Sequence, residues 1–117
     1  MQTQPIDAVA PAEQRAVARL FSVLADPTRV ALVELLLERP RTVRELVNAT
    51  CVPRGRVSNH LACLRWCGFA TSERSGRDVV YRIADRRIRR VLAQGRQLAD
   101  ERAEHLASCQ RIGPDWI

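Results

Sequence analysis

The sequence predicts a mainly α-helical domain with a β-hairpin wing, a winged helix-turn-helix that works as a homodimer. Two short helical segments, one starting at Thr42 and one at Pro53, are separated by little more than Thr50-Cys51-Val52, the brief joint of a helix-turn-helix. Directly afterwards, the β-prone runs Phe69–Arg74 and Val79–Ile83 flank the polar turn Ser75-Gly76-Arg77-Asp78, which makes a hairpin in the position of a wing. The first and last helices carry apolar stripes larger than one small core can cover, so a second copy is the natural partner.

Each element has its own local cause. Residues 1–11, with Pro5 and Pro11, read as a flexible arm. A first helix spans about Ala12 to Leu24, because Val17, Leu20, Phe21 and Leu24 fall on one stripe. Asp26-Pro27 opens the second helix, aspartate as N-cap and proline at the first helical position. That helix carries Val30, Leu32, Val33, Leu36 and Leu37 and stops before Pro40. Thr42-Val43-Arg44-Glu45 is a capping box for a third helix running to about Ala49. Pro53 begins the fourth helix, and Gly68 ends it as the residue after the C-cap. After the wing, one long helix from Asp85 to about Ala107 carries Ile88, Val91, Leu92, Leu98, Ala99 and Leu106 in a broken stripe. The domain thus covers 12–107, with 108–117 as a C-terminal tail.

Length and composition narrow the function. A chain of 117 residues fits one domain. Its net charge is +6 and all nineteen basic residues are arginine. Guanidinium forks suit phosphate oxygens and guanine edges, so double-stranded DNA is an expected partner; an arginine-rich solvated surface is the plainer explanation. The longest apolar stretch, Val30 to Leu37, is broken by Glu34 and too short for a bilayer, so no membrane role is expected. The start of the chain has no leader pattern, which points to a cytoplasmic protein. In that compartment four cysteines read as ligands, sensors or small core residues before disulfides.

The fourth helix divides into three arcs at about 100° per residue. Val57, Leu61 and Leu64 form the core arc. Gly55, Ser58, Asn59 and Ala62 form a small polar arc that can enter a major groove, with Ser58 and Asn59 as base readers. Arg54, Arg56 and Arg65 flank it as phosphate contacts, joined by Arg74 and Arg77 from the wing. His60, Cys63 and Cys67 occupy the third arc. Cys63 and Cys67 stand one turn apart, close enough to share a soft ion, although a cysteine at a core edge is also a common small hydrophobe. His60 is either a further ligand or a residue that bonds backbone or DNA; the DNA contact is the expectation here. Cys51 reads as structural. Cys109 either caps the last helix or closes over an ion from the tail.

Ala25-Asp26-Pro27-Thr28-Arg29, Val57-Ser58-Asn59-His60-Leu61 and Val80-Tyr81-Arg82, in this order, resemble the ArsR/SmtB family of winged-helix repressors over residues 12 to 107. The stretch from Ser58 to Gly68 is most similar to the family's cadmium- and lead-sensing members. The resemblance implies a homodimer that leaves its operator when metal binds. It implies a site of three thiolates, two from this helix and one from the other subunit's tail: Cys63, Cys67 and Cys109. The Cys-x-Cys of other members is replaced here by Glu45-Leu46-Val47-Asn48, and the aspartate and histidine ligands that zinc sensors place on the last helix are missing. Three thiolates favour soft effectors; the resemblance puts Cd(II) or Pb(II) first, with Hg(II) or As(III) as further candidates. The rivals are a metal-free repressor that uses Cys63 and Cys67 as a redox pair and a small thiol enzyme. The second lacks a base partner for its nucleophile, so no catalysis is expected.

Overall fold

A computed structural model describes residues 11–111. Residues 1–10 of the expected arm and residues 112–117 of the expected tail lie outside the described residues. The order is α1 (Ala12–Val23), α2 (Pro27–Glu38), β1 (Arg41–Thr42), α3 (Val43–Thr50), α4 (Arg54–Trp66), β2 (Ala70–Ser75), β3 (Asp78–Ile83), α5 (Ile88–Glu101) and α6 (Ala103–Ser108). The strands form one antiparallel sheet in the order β1-β3-β2. This is the winged helix-turn-helix the sequence predicts.

The local signals act as expected at most boundaries. The Asp26 carboxylate accepts the backbone N–H groups of Thr28 at 2.8 Å and Arg29 at 3.1 Å, satisfying free donors at the start of α2. Both halves of the capping box form at Thr42 and Glu45. Gly68, at φ +83°, closes α4: its N–H reaches Arg65 O, and the next N–H, of Phe69, reaches Leu64 O. That pair of bonds is a Schellman motif and makes Cys67 the C-cap. Ser75 pairs with Asp78 across the two-residue turn Gly76-Arg77, where φ is +63° at Gly76.

Four details depart from expectation. The two-residue β1 pairs with Tyr81 and Val80; two residues are too few for a period to show. Pro53 is the N-cap of α4, not its first residue, with its carbonyl accepting from Arg56 and Val57. The last helix starts at Ile88, because the Asp85 carboxylate folds back onto the Arg87 backbone N–H at 3.0 Å. It is also not continuous: Arg102, at φ −112° and ψ 15°, divides it into α5 and α6. Neither glycine nor proline stands there. Residues 93–111 are all exposed in the single chain.

The core is a seam between α2 and α4, floored by α3 and β3. Leu32, Val33, Leu46, Val57, Leu61 and Leu64 have no exposed surface at all. Each such side chain contributes about 1.5–3 kcal/mol by leaving water. Arginines moor α2 at its far end: Arg41 donates to Leu35 O, and Arg86 and Arg89 both donate to Leu37 O. Cations at the negative end of a helix dipole are favourable. By contrast α1 has no buried residue, and Val17, Phe21, Leu98 and Leu106 are about half exposed.

Leu61→Ala should therefore cost about 2–5 kcal/mol, whereas Trp66→Ala, at a side chain 92% exposed, should stay within about 0.5 kcal/mol. Urea unfolding at one fixed protein concentration checks both; a Leu61→Ala midpoint equal to the parent's refutes this packing.

Candidate functional site

Once the seam claims Val57, Leu61 and Leu64, the orientation of α4 is set. Arg54, Gly55, Arg56, Ser58, Asn59 and Ala62 are all exposed along one side of it. Arg74 and Arg77 are exposed at the tip of the wing. One rigid body thus displays hydrogen-bonding side chains on a helix and guanidinium groups on both flanks, a surface with the chemistry to meet base edges and phosphates. Two polar contacts join the wing to α4 and α3. Arg65 Nη1 donates to Ser72 Oγ at 3.3 Å, and Arg44 of α3 pairs with Asp78 at 3.3 Å. The wing-holding role of Arg44 has no signal in the sequence, because its partner lies 34 residues away.

His60, expected among the DNA contacts, has a side chain only 16% exposed that lies towards α2. Nδ1 lies 3.4 Å from Arg29 Nη1, and Nε2 lies 3.8 Å from an Asp26 oxygen. A guanidinium can donate to a ring nitrogen only where that nitrogen carries no proton. Arg29 also donates from Nε to Val23 O, the last residue of α1, at 2.5 Å. Burial alone would raise the Asp26 pKa. The backbone amides of Arg29 and Thr28, with the His60 and Arg29 side chains, hold that carboxyl below its usual range. Asp26 and Arg29 stand in a segment that the sequence marks as distinctive, but only as a helix start.

Beside His60 lie the two thiols of α4. Cys63 is partly buried and Cys67 exposed. Partial burial first, then the neighbouring Cys63, pushes the Cys67 thiol up, while Arg29 acts in the opposite direction. The two sulfurs are thus near enough to influence one another. Cys109 is exposed just beyond α6, and Cys51 is exposed at the left-handed C-cap of α3, φ +57°. Among the described residues no three His, Cys, Asp or Glu side chains gather into a metal-binding group. One chain therefore brings together Cys63 and Cys67 but not Cys109. Two thiols suit a soft ion and leave its coordination incomplete. A depression of about 730 Å³ between α2 and α3 is lined by Pro27, Ala31, Leu35 and Val52 among others, and no thiol lines it. No helix among the described residues is long and apolar enough to cross a membrane.

Comparison with known proteins converges on one group. Residues 26–72 match the family described as bacterial regulatory protein, arsR family. A probable mercury resistance operon repressor of Streptomyces lividans is 39% identical over 95 residues, 81% of this chain and 76% of the relative. The cadmium metal-sensor CmtR of Mycobacterium tuberculosis superposes with a TM-score of 0.56 at 40% identity, covering 66% of this chain and 80% of its own. A homodimeric winged helix-turn-helix DNA-binding domain from Mycobacterium bovis superposes at 0.68 with 30% identity, covering 90% of this chain and 94% of its own.

A raised thiol pKa means less thiolate at pH 7 and slower alkylation. Iodoacetamide should therefore modify Cys67 more slowly than the thiol of a short unfolded peptide, and Cys63→Ser should speed the reaction by removing the neighbour. Peptide mapping by mass spectrometry gives the rates; no change on Cys63→Ser would show that the two thiols do not interact.

Proposed function

Because the chain belongs to the arsR family of bacterial regulatory proteins, we propose that it is a metal-responsive transcriptional repressor, a homodimer that holds operator DNA and releases it when a thiophilic ion binds its cysteine thiolates. The observation that carries this is the placement of Cys63 and Cys67 together on one face of α4, apart from the exposed face of Ser58 and Asn59. Sensor and reader share one helix, so a force on the first is felt by the second.

The dimer is supported by the apolar surface left on α1, α5 and α6, and by the homodimeric state of the Mycobacterium bovis neighbour. In the dimer, Cys63 and Cys67 of one subunit and the partner's Cys109 hold a single ion. Cd(II), Pb(II), Hg(II) and As(III) suit this donor set; a relative associated with mercury resistance and a neighbour that senses cadmium agree with it. Each thiol gives up a proton on binding, so affinity rises with pH. Closing the site draws the end of α4 towards the other subunit's tail and shifts the two reading faces relative to one another. A coupling of only about 1–3 kcal/mol changes operator affinity about 5- to 150-fold.

On DNA, Ser58 and Asn59 read bases while Arg54, Arg56, Arg65, Arg74 and Arg77 hold phosphates. Asn59→Ala should cost about 1–3 kcal/mol on the operator and little on random DNA, and Arg77→Ala should weaken both and lower the salt slope by about one. Unaltered sequence preference in Asn59→Ala would place the reading face elsewhere. Leu98→Glu should drive the protein to monomer on analytical ultracentrifugation and weaken operator binding with it; a stable dimer of that variant would move the interface.

Substituting Ser for Cys63 or Cys67 should abolish thiolate-to-metal charge-transfer absorption and leave a repressor that cadmium or lead does not release. Cys109→Ser should weaken binding less, and Cys51→Ser should be nearly silent. Mixed dimers of Cys63→Ser and Cys109→Ser subunits should regain one site, because one subunit keeps the helix pair and its partner the tail thiol. A full metal response in the Cys63→Ser, Cys67→Ser double variant refutes the site.

A further inference from the structure

His60, Cys63 and Cys67 fall within roughly 60° of one another on α4 at 3.6 residues per turn. Through His60, that arc is the only part of α4 whose side chains reach the junction of α1 and α2 by a hydrogen bond among the described residues. The bond is made by Arg29, whose Nη1 meets the His60 ring and whose Nε meets Val23 O at the end of α1. The backbone N–H of Arg29 is itself held by Asp26, the cap of α2. A single guanidinium thus spans the end of the exposed helix α1 and the thiol-bearing face of the reading helix. Its planar fork allows two bonds in fixed directions, which a flexible ammonium does not.

We infer that the Arg29–His60 contact is the joint through which loading of the thiol face changes the placement of α4 relative to α1, making Arg29 a positioning residue for the metal response. This rests on the repressor function proposed above and names how its two sites communicate. When Cys63 and Cys67 are drawn towards an ion, the arc they share with His60 moves. The Arg29–His60 bond then either carries Val23 with it or breaks. Both outcomes change the angle between α1, the face available to a second subunit, and the surface of α4 that meets DNA.

The test is the ratio of operator affinities without and with cadmium, measured on the full chain by fluorescence anisotropy. The parent should give a ratio of about 5 to 150. Arg29→Lys keeps the charge but loses the fork, and His60→Ala loses the acceptor; both ratios should fall below about threefold. Cadmium affinity from charge-transfer absorption, and operator affinity without metal, should stay within about threefold of the parent in both variants. His60→Gln, whose amide oxygen can accept from Arg29, should keep most of the response. Parent-like ratios in Arg29→Lys and His60→Ala overturn the joint. So does weaker operator binding with an unchanged ratio, which would make Arg29 simple scaffolding, and so does a His60→Gln ratio as low as that of His60→Ala. A parent that ignores cadmium, lead and mercury alike would instead refute the repressor function itself.

Discussion

Val57, Leu61 and Leu64 are completely buried against α2, and this contact decides what every other surface of the molecule can be. A helix in a two-layer domain has one face fixed by the core, and rotating it by one residue would bring a polar group into that core at a cost of several kcal/mol. With the leucine seam locked, Ser58 and Asn59 must face outward, and Cys63 must lie at the seam's edge. The same seam places the wing, because β2 follows α4 after a Schellman turn that leaves no slack at Gly68. Recognition surface, thiol pair and wing therefore form a single rigid unit.

Much of this was legible in the sequence, for reasons that differ by element. Asp26-Pro27, Thr42 with Glu45, and Gly68 act through their immediate neighbours, and such local chemistry determines helix ends without help from the rest of the fold. Periodicity on α4 separated its three faces for the same reason: the wheel is a property of the helix alone. What stayed hidden involves partners far apart in the chain. The strand β1 is defined by pairing with residues about 40 positions later. The inward turn of His60 depends on Arg29, 31 residues earlier. The break at Arg102 falls where neither glycine nor proline stands, so no residue type announces it. Of the thiols, the pair at Cys63 and Cys67 could be read from spacing, while Cys109 stands exposed beyond α6 and, within one chain, joins no group with them.

The two ends of α2 show how little separates structure from signalling in so small a domain. At its C-terminus, Arg41, Arg86 and Arg89 converge on the free carbonyls and tie the sheet and α5 to the core. At its N-terminus, Asp26 and Arg29 do the same for α1 and α4. Arg96 of α5 also pairs with Glu34 of α2. The helices that carry the half-exposed apolar surface are thus attached to the reading head by polar contacts as well as by the packing of Val23, Ile88, Val91 and Leu92 on the core. Such contacts are directional and individually weak, and can be rearranged at a cost of about 0.5–1.5 kcal/mol for a neutral hydrogen bond.

With no lysine in the chain, every one of these clamps is cationic in the same way. A guanidinium keeps its charge at any pH a protein meets, whereas an ammonium discharges at about pH 10. The guanidinium ends of these clamps consequently keep their charge in alkali, and the carboxylates among their partners lose theirs in acid. Asp26 and Glu45 both ionise below their ordinary ranges, so what they contribute is present above those ranges and drains away as the medium acidifies past them. Asp85, held to about 2 by Arg87, lets go last. The arginine contacts of the scaffold thus keep their charge in alkaline conditions, where protons compete least with a metal for a thiolate.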